Sequence, residues 1–242
     1  MNKILITGCS RGIGKSITEK LLADKKTVIG TWVKTSPDSF SRSHHFTGIQ
    51  ADLNSEDQLK RVLKPVIEKE APDVLVNNAG IFVPASFSAN DSEWLSVWDR
   101  TLNVNLRSAA LLTKWFINRH FSRGSKGMVI NIASRAAYRG DTQEYAAYAA
   151  SKAGMTAFTK SIARDFSRKG IVAYTIAPGF IETDMAKESI AVLGEEALTR
   201  GSAFDEITKP DEVANLVAFL VKGEVKHMSG STFHINGGSY MI

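Results

Sequence analysis

Tyr148 and Lys152 stand four residues apart in the run YAASK. On a helix that spacing puts a phenol and an ammonium on one face. A phenol with a reference pKa of about 10 stays protonated near neutrality and can hand its proton to a forming alkoxide. Working in reverse as a base it needs a lower pKa, and a nearby ammonium provides that by favouring the phenolate. Taken alone, Tyr-x-x-x-Lys is more often a surface or packing pair. Tyr145 and Tyr138 are weaker rivals, because Ala149 stands four residues after the first and the second lacks a lysine partner. A second cluster is TGCSRGIG, Thr7 to Gly14, which follows the apolar run Ile4–Leu5–Ile6. Gly8, Gly12 and Gly14 need a bare backbone, either for a tight strand-to-helix turn or for a phosphate cradle at a helix N-terminus. Their spacing departs from G-x-G-x-x-G, and the two readings are equally open at this point. Cys9 is the single cysteine, which excludes an intrachain disulfide and reads as a small buried residue. The five histidines have no metal-ligand spacing, so no catalytic metal is expected.

The elements that must carry these residues alternate. KILITG, TVIGTW, FTGIQADL, DVLVNNAG, GMVINIAS, IVAYTIAPG and STFHINGG read as strands. Between them lie helical patterns. GKSITEKLLADK puts Ile17, Leu21 and Leu22 on one face, and SEDQLKRVLKPVIEKEA spaces Leu59, Val62, Leu63, Val66 and Ile67 helically behind a Ser55 cap. A long helix spans SEWLSVWDRTLNVNLRSAALLTKWFINRHF, and another runs through Tyr148 to an ending at Gly170. PDEVANLVAFLVKG starts with Pro210 in its first turn. This alternation predicts an α/β fold: a Rossmann-type doubly wound parallel sheet in a three-layer α/β/α arrangement, as a single domain over 1–242. The polar, interrupted segment at about 181–208 fits poorly and is expected to be a substrate lid.

The chain has 242 residues, 43% hydrophobic and 23% charged, with net charge +5. No apolar run reaches eighteen residues, so no membrane span is expected. The basic residues are dispersed, which argues against nucleic-acid binding. The start, MNKILITG, shows no secretion-signal pattern, and with one cysteine a cytoplasmic location is expected.

Several motifs now fall in order: TGCSRGIG, Asp52 after the third strand, NNAG at 77–80, Asn105 in NVNL, Ser134 in INIAS, YAASK at 148–152, Pro178–Gly179, and INGG near the end. Together they resemble the short-chain dehydrogenase/reductase family over nearly the whole chain, and within it the β-ketoacyl-(acyl carrier protein) reductases. The resemblance implies a catalytic set of Asn105, Ser134, Tyr148 and Lys152. Tyr148 would donate the proton, Ser134 would orient the carbonyl, and Asn105 would hold a water linking Lys152 to solvent. It implies cofactor contacts from Gly8, Ser10, Arg11, Gly12, Ile13 and Gly14 in the first turn, and from Lys34, Asp52 and Leu53. Asn78, Ala79 and Gly80 would follow, then Tyr148 and Lys152, then Pro178, Gly179, Ile181 and Thr183.

The second strand ends GTWVKTS, with no carboxylate near Trp32 to repel a ribose 2′-phosphate. Arg11 and Lys34 supply positive charge there, so NADP(H) is expected over NAD(H). The family likeness further implies a carbonyl substrate, acyl carrier protein as a possible partner, and a homotetramer built on the two long helices. Arg123, Lys126 and Lys169 resemble the basic rim that receives an acidic carrier, although ordinary helix-end charge accounts for them as well. Ser134 and Tyr148 stand one residue further apart than in those reductases, which is expected to reshape the substrate mouth.

Overall fold

Short runs of β-branched and aliphatic residues form strands buried on both faces, as a sheet covered by helices requires. The computed structural model describes residues 1–183, 199 and 201–241. Its strands are β1 (Lys3–Ile6), β2 (Thr27–Trp32), β3 (Phe46–Gln50), β4 (Val74–Asn77), β5 (Gly127–Ile132), β6 (Ile171–Pro178) and β7 (Thr232–Ile235). They make one parallel sheet in the order β3-β2-β1-β4-β5-β6-β7, the doubly wound arrangement expected. Register sorts the side chains into two cores. Leu5 pairs with Ile29 and Leu75, Leu75 with Val129, and Val129 with Ala173, and this row faces one side. Ile4, Val28, Val74 and Met128, one residue out of phase, face the other.

Helices α1 (Gly12–Ala23) and α5 (Pro210–Val221) cover the second face through Ile17, Leu21, Val213 and Val217. Helical runs α2 (56–70) and α3 (91–123) and helix α4 (Ala146–Phe166) cover the first, through Leu59, Leu63, Leu112, Phe116 and Ile162. Full burial of each such side chain contributes about 1.5–3 kcal/mol. The start and stop signals act where the sequence places them. Ser55 accepts from the Gln58 amide, Pro210 opens α5, and Gly170 adopts φ +90° just past a last 3-10 turn at Ser167–Lys169. The sequence pattern does not show that α2 and α3 each contain a π turn, at Leu59–Leu63 and Asn103–Arg107.

Most of the expected lid, residues 184–198 and 200, lies outside the described residues. Its two ends meet: Ile181 and Thr208 form a parallel bridge, and the Glu182 amide donates to the Thr208 carbonyl at 2.9 Å.

In parallel sheets of this order, ligands bind beyond the carboxyl ends of the strands where the winding reverses, here between β1 and β4. Gly14 shows how tightly that point is built. A Cβ there would lie 1.9 Å from the Gly8 carbonyl oxygen and 2.5 Å from Asn78 Nδ2. Alanine is otherwise favoured over glycine inside a helix by about 1 kcal/mol. Gly14→Ala should nevertheless destabilise the fold, by about 1–3 kcal/mol in urea unfolding; a gain in stability would show that the turn yields freely.

Candidate active site

The glycine turn is locked to the end of β4. Thr7 Oγ1 accepts from the Asn78 and Ala79 amides, both at 3.0 Å. Asn78 Nδ2 returns two bonds, to the carbonyls of Thr7 at 2.9 Å and Gly8 at 3.0 Å. Gly8 takes φ +71° and Gly12 φ +53°. The space a side chain would fill at Gly8 is held by Ala79, and at Gly14 by Gly8 and Asn78. Bare backbone at these two positions is therefore required for the turn itself to close. The residue before α1 is Arg11, whose side chain makes no cap bond, so the first-turn amides of the helix are left for an anion.

Around Tyr148 the elements converge from β4, β5, α3 and α4. Lys152 Nζ donates to the Ile132 carbonyl at 2.8 Å, and the residue is 3% exposed. Two residues past Ile132, Ser134 Oγ accepts from the Ala136 amide at 3.1 Å and faces the cavity that Tyr148 also lines. Asn105 lies in the π turn of α3, which turns it fully inward. Its Oδ1 accepts from the Ile81 amide at 2.8 Å, and its Nδ2 donates to the Ile81 carbonyl at 3.0 Å and to Ser151 Oγ at 3.1 Å. A Cβ on Gly80 would lie 3.3 Å from Lys152 Nζ and 3.4 Å from Asn105 Oδ1, so these three are neighbours.

A cavity of about 140 Å³ opens beside this group, lined among others by Ser134 and Tyr148. Ile13, Pro178, Gly179, Ile181 and Thr183 also border it, and Thr183 Cγ2 would meet a Cβ on Gly12 at 3.1 Å. Other expected contacts are more distant from the cavity or turned away. Leu53 points its side chain into the core. Asp52 accepts from the Asn54 amide at 2.9 Å in a local turn, and the helix cap it was an alternative for belongs to Ser55. Ser10 is half-buried in the glycine turn, while Arg11 and Lys34 are exposed.

Residues 8–240 match the family described as enoyl-(acyl carrier protein) reductase. The chain belongs to the short-chain dehydrogenase/reductase family. It is 36% identical to the 3-oxoacyl-[acyl-carrier-protein] reductase FabG of Vibrio cholerae over 98% of this chain and 97% of that protein. The FabG of Escherichia coli gives the same figures, 36%, 98% and 97%. Among solved structures, a putative 2-deoxy-d-gluconate 3-dehydrogenase from Agrobacterium tumefaciens with bound NADP superposes with TM-score 0.88 at 26% identity, covering 98% of this chain and 96% of that one. BdcA in complex with NADPH follows at TM-score 0.84 and 26% identity, covering 98% and 93%.

Burial perturbs both members of the pair. Burial pushes the Tyr148 phenol above its usual pKa, the Ser134 hydroxyl pulls it down, and the Asp141 carboxylate pushes it up again. Lys152 Nζ sits 5.7 Å from the Tyr148 ring centroid while bonded to Ile132, and burial lowers its own pKa to about 8. The basic rim is misplaced within this chain. Arg123 and Lys126 precede β5, and Lys169 precedes β6, so all three lie at the amino edge of the sheet. Ser134 lies past the carboxyl edge, roughly 20 Å away along a six-residue strand. Lys169 instead pairs with Asp165 at 3.6 Å and covers the Phe166 ring.

Sequence reasoning missed Phe82, which meets the Tyr148 ring edge-on at 4.8 Å and stacks on Tyr145 at 3.7 Å. It also missed Arg135, Arg139, Asp141 and Phe180 on the cavity wall. Their signal was adjacency alone, Arg135 being the residue after Ser134. Tyr138 turns elsewhere, its hydroxyl 2.6 Å from Thr232 Oγ1.

Lys152 makes stability depend on pH. Its ammonium titrates near 8 when folded against an ordinary 10.5, so between those values the unfolded chain holds the extra proton. Wild-type stability should therefore rise from about pH 8 towards 10 relative to Lys152→Met, followed by thermal unfolding of both proteins without cofactor. Parallel curves across that window would contradict the assignment.

Proposed function

We propose that this chain reduces the ketone of a 3-oxoacyl thioester with NADPH. The observation that carries the reading is the pairing of the Ser134 and Tyr148 hydroxyls on the wall of a cavity that also reaches the glycine turn. A hydroxyl pair of this kind suits a carbonyl oxygen that becomes an alkoxide, and it favours C=O over C=C reduction. The likeness to FabG proteins over the full chain supports the same substrate class.

The turn fits a dinucleotide because α1 has no side-chain cap and Gly12 holds φ +53°. Bound there, NADPH supplies the hydride. Gly8, Ser10, Arg11, Gly12, Ile13 and Gly14 would hold the diphosphate side. Arg11 and Lys34 would meet the 2′-phosphate, and Asp52 and Leu53 would flank the adenine. Asn78, Ala79 and Gly80, with Pro178, Gly179, Ile181 and Thr183, would hold the nicotinamide half. Ser134 orients the substrate oxygen and keeps Tyr148 aligned. Tyr148 gives its proton to that oxygen, and its raised pKa keeps the proton in place until then. Lys152 binds the nicotinamide ribose and fixes the floor through Ile132. Asn105 braces Ile81 and Ser151 beside it. Asn105 Nδ2 spends both hydrogens on Ile81 and Ser151, while Oδ1 accepts only the Ile81 amide and keeps a second lone pair for the water that would link Lys152 to solvent.

The reading extends to a cytoplasmic homotetramer acting on acyl carrier protein substrates. Support comes from the exposed Leu95 and the stacked Trp94–Trp98 pair on α3, beside the alanine-rich α4. Among the described residues no helix is long and apolar enough to cross a membrane. An acidic carrier would meet Arg123, Lys126 and Lys169 only if assembly brings one subunit's amino edge to another's cavity.

Tyr148→Phe should lower kcat on an acetoacetyl thioester by about 10²–10⁴-fold while NADPH still binds. Retention of most activity removes Tyr148 from its role. NADPH should bind more tightly than NADH in fluorescence titrations, and Arg11→Ala should narrow the gap; equal affinities in the wild type would argue for NAD. Activity on carrier-bound substrate should fall with salt more steeply than on a small ketone.

A further inference from the structure

Arg135 is a buried cation that no carboxylate among the described residues pairs with directly. It is 8% exposed, and its amide donates to the Pro178 carbonyl at 2.8 Å, which fixes it against the end of β6. The guanidinium lies over the Phe180 ring at 4.5 Å, and Nη1 donates to Ser239 Oγ at 2.6 Å. A guanidinium has five N–H donors, and burying it unpaired is costly. Burial holds it below the usual arginine pKa, Arg139 adds to that, and Asp141 opposes it. Arg135 lines the cavity that Ser134 and Tyr148 line, with Arg139 one turn further on.

We propose that Arg135 is a specificity residue whose guanidinium binds a carboxylate on the oxo substrate while Ser134 and Tyr148 take its ketone. The proposal rests on the carbonyl-reduction reading and narrows it, because a 3-oxoacyl chain entering here would end in a carboxylate rather than a methyl group. A planar monoanion suits the guanidinium fork. A phosphate dianion suits it less, because Asp141 lines the same cavity and would repel the second charge. Phe180 and Ser239 hold the fork in place before substrate arrives, so little side-chain entropy is lost on binding.

The test compares wild type, Arg135→Gln and Arg135→Lys on 3-oxoacyl thioesters whose chains end in a carboxylate and on the matching terminal methyl esters. NADPH oxidation gives kcat/KM, and the thermal shift of NADPH-loaded protein gives binding. Wild type should prefer its best acid to the matching ester by about 30-fold or more, mainly through KM. In Arg135→Gln the acid-to-ester ratio should collapse towards one, and in Arg135→Lys it should recover only in part. The acid should raise the wild-type midpoint and leave that of Arg135→Gln unmoved. An indifferent wild type overturns the proposal. So does an Arg135→Gln protein that loses acid and ester activity equally, which marks Arg135 as an anchor for Ser239 alone. If neither compound oxidises NADPH, carbonyl reduction itself fails, and the thermal shift decides the anion site: an Arg135-dependent shift upholds it and no shift overturns it.

Discussion

The hydrogen bond from Lys152 Nζ to the Ile132 carbonyl couples the two elements on which the site depends. One end is the last residue of β5, and two residues on, the chain presents Ser134. The other end is α4, and one turn earlier the helix presents Tyr148. A buried ammonium with a single carbonyl partner cannot swing away without leaving both groups unsatisfied in an apolar surround. The spacing of Ser134 from Tyr148 is thus set by a contact neither makes. The intervening 13 residues, 135–147, hold a short helix at Ala136–Arg139 and a 3-10 turn at Gln143–Tyr145.

A second lock holds the nucleotide side. Thr7 and Gly8 exchange four hydrogen bonds with Asn78 and Ala79 across the β1–β4 boundary, where the sheet reverses its winding. Beneath it, Asn77 donates to Asn131 at 2.8 Å and Asn131 to Thr159 at 2.8 Å, tying β4, β5 and α4 through buried polar groups. Buried hydrogen-bonded chains of this kind favour one arrangement where hydrophobic contact alone tolerates several, although Asn77 Oδ1 is left without a partner. The cofactor turn and the phenol are therefore referenced to the same three elements.

Much of this is legible in the chain. The inner strands announce themselves because burial on both faces demands continuous apolar runs, and Ser55, Pro210 and Gly170 mark helix limits by local chemistry that needs no tertiary contact. Tyr148 and Lys152 are legible as a same-face pair. What could not be read depends on geometry between distant segments. The π turn at Asn103–Arg107 that turns Asn105 inward leaves no trace in a 3.6-residue pattern. Arg123, Lys126 and Lys169 look like an entrance rim in sequence, but strand direction carries them to the opposite edge. Arg135 reads as an ordinary polar residue until β6 and the chain end close over it.

Burial also divides the labour between the phenol and the ammonium. The same apolar surround raises one pKa and lowers the other, because it disfavours whichever form is charged. Tyr148 is thereby held as a proton donor across the neutral range. Lys152, near 8, is poised to lose its charge just above neutrality.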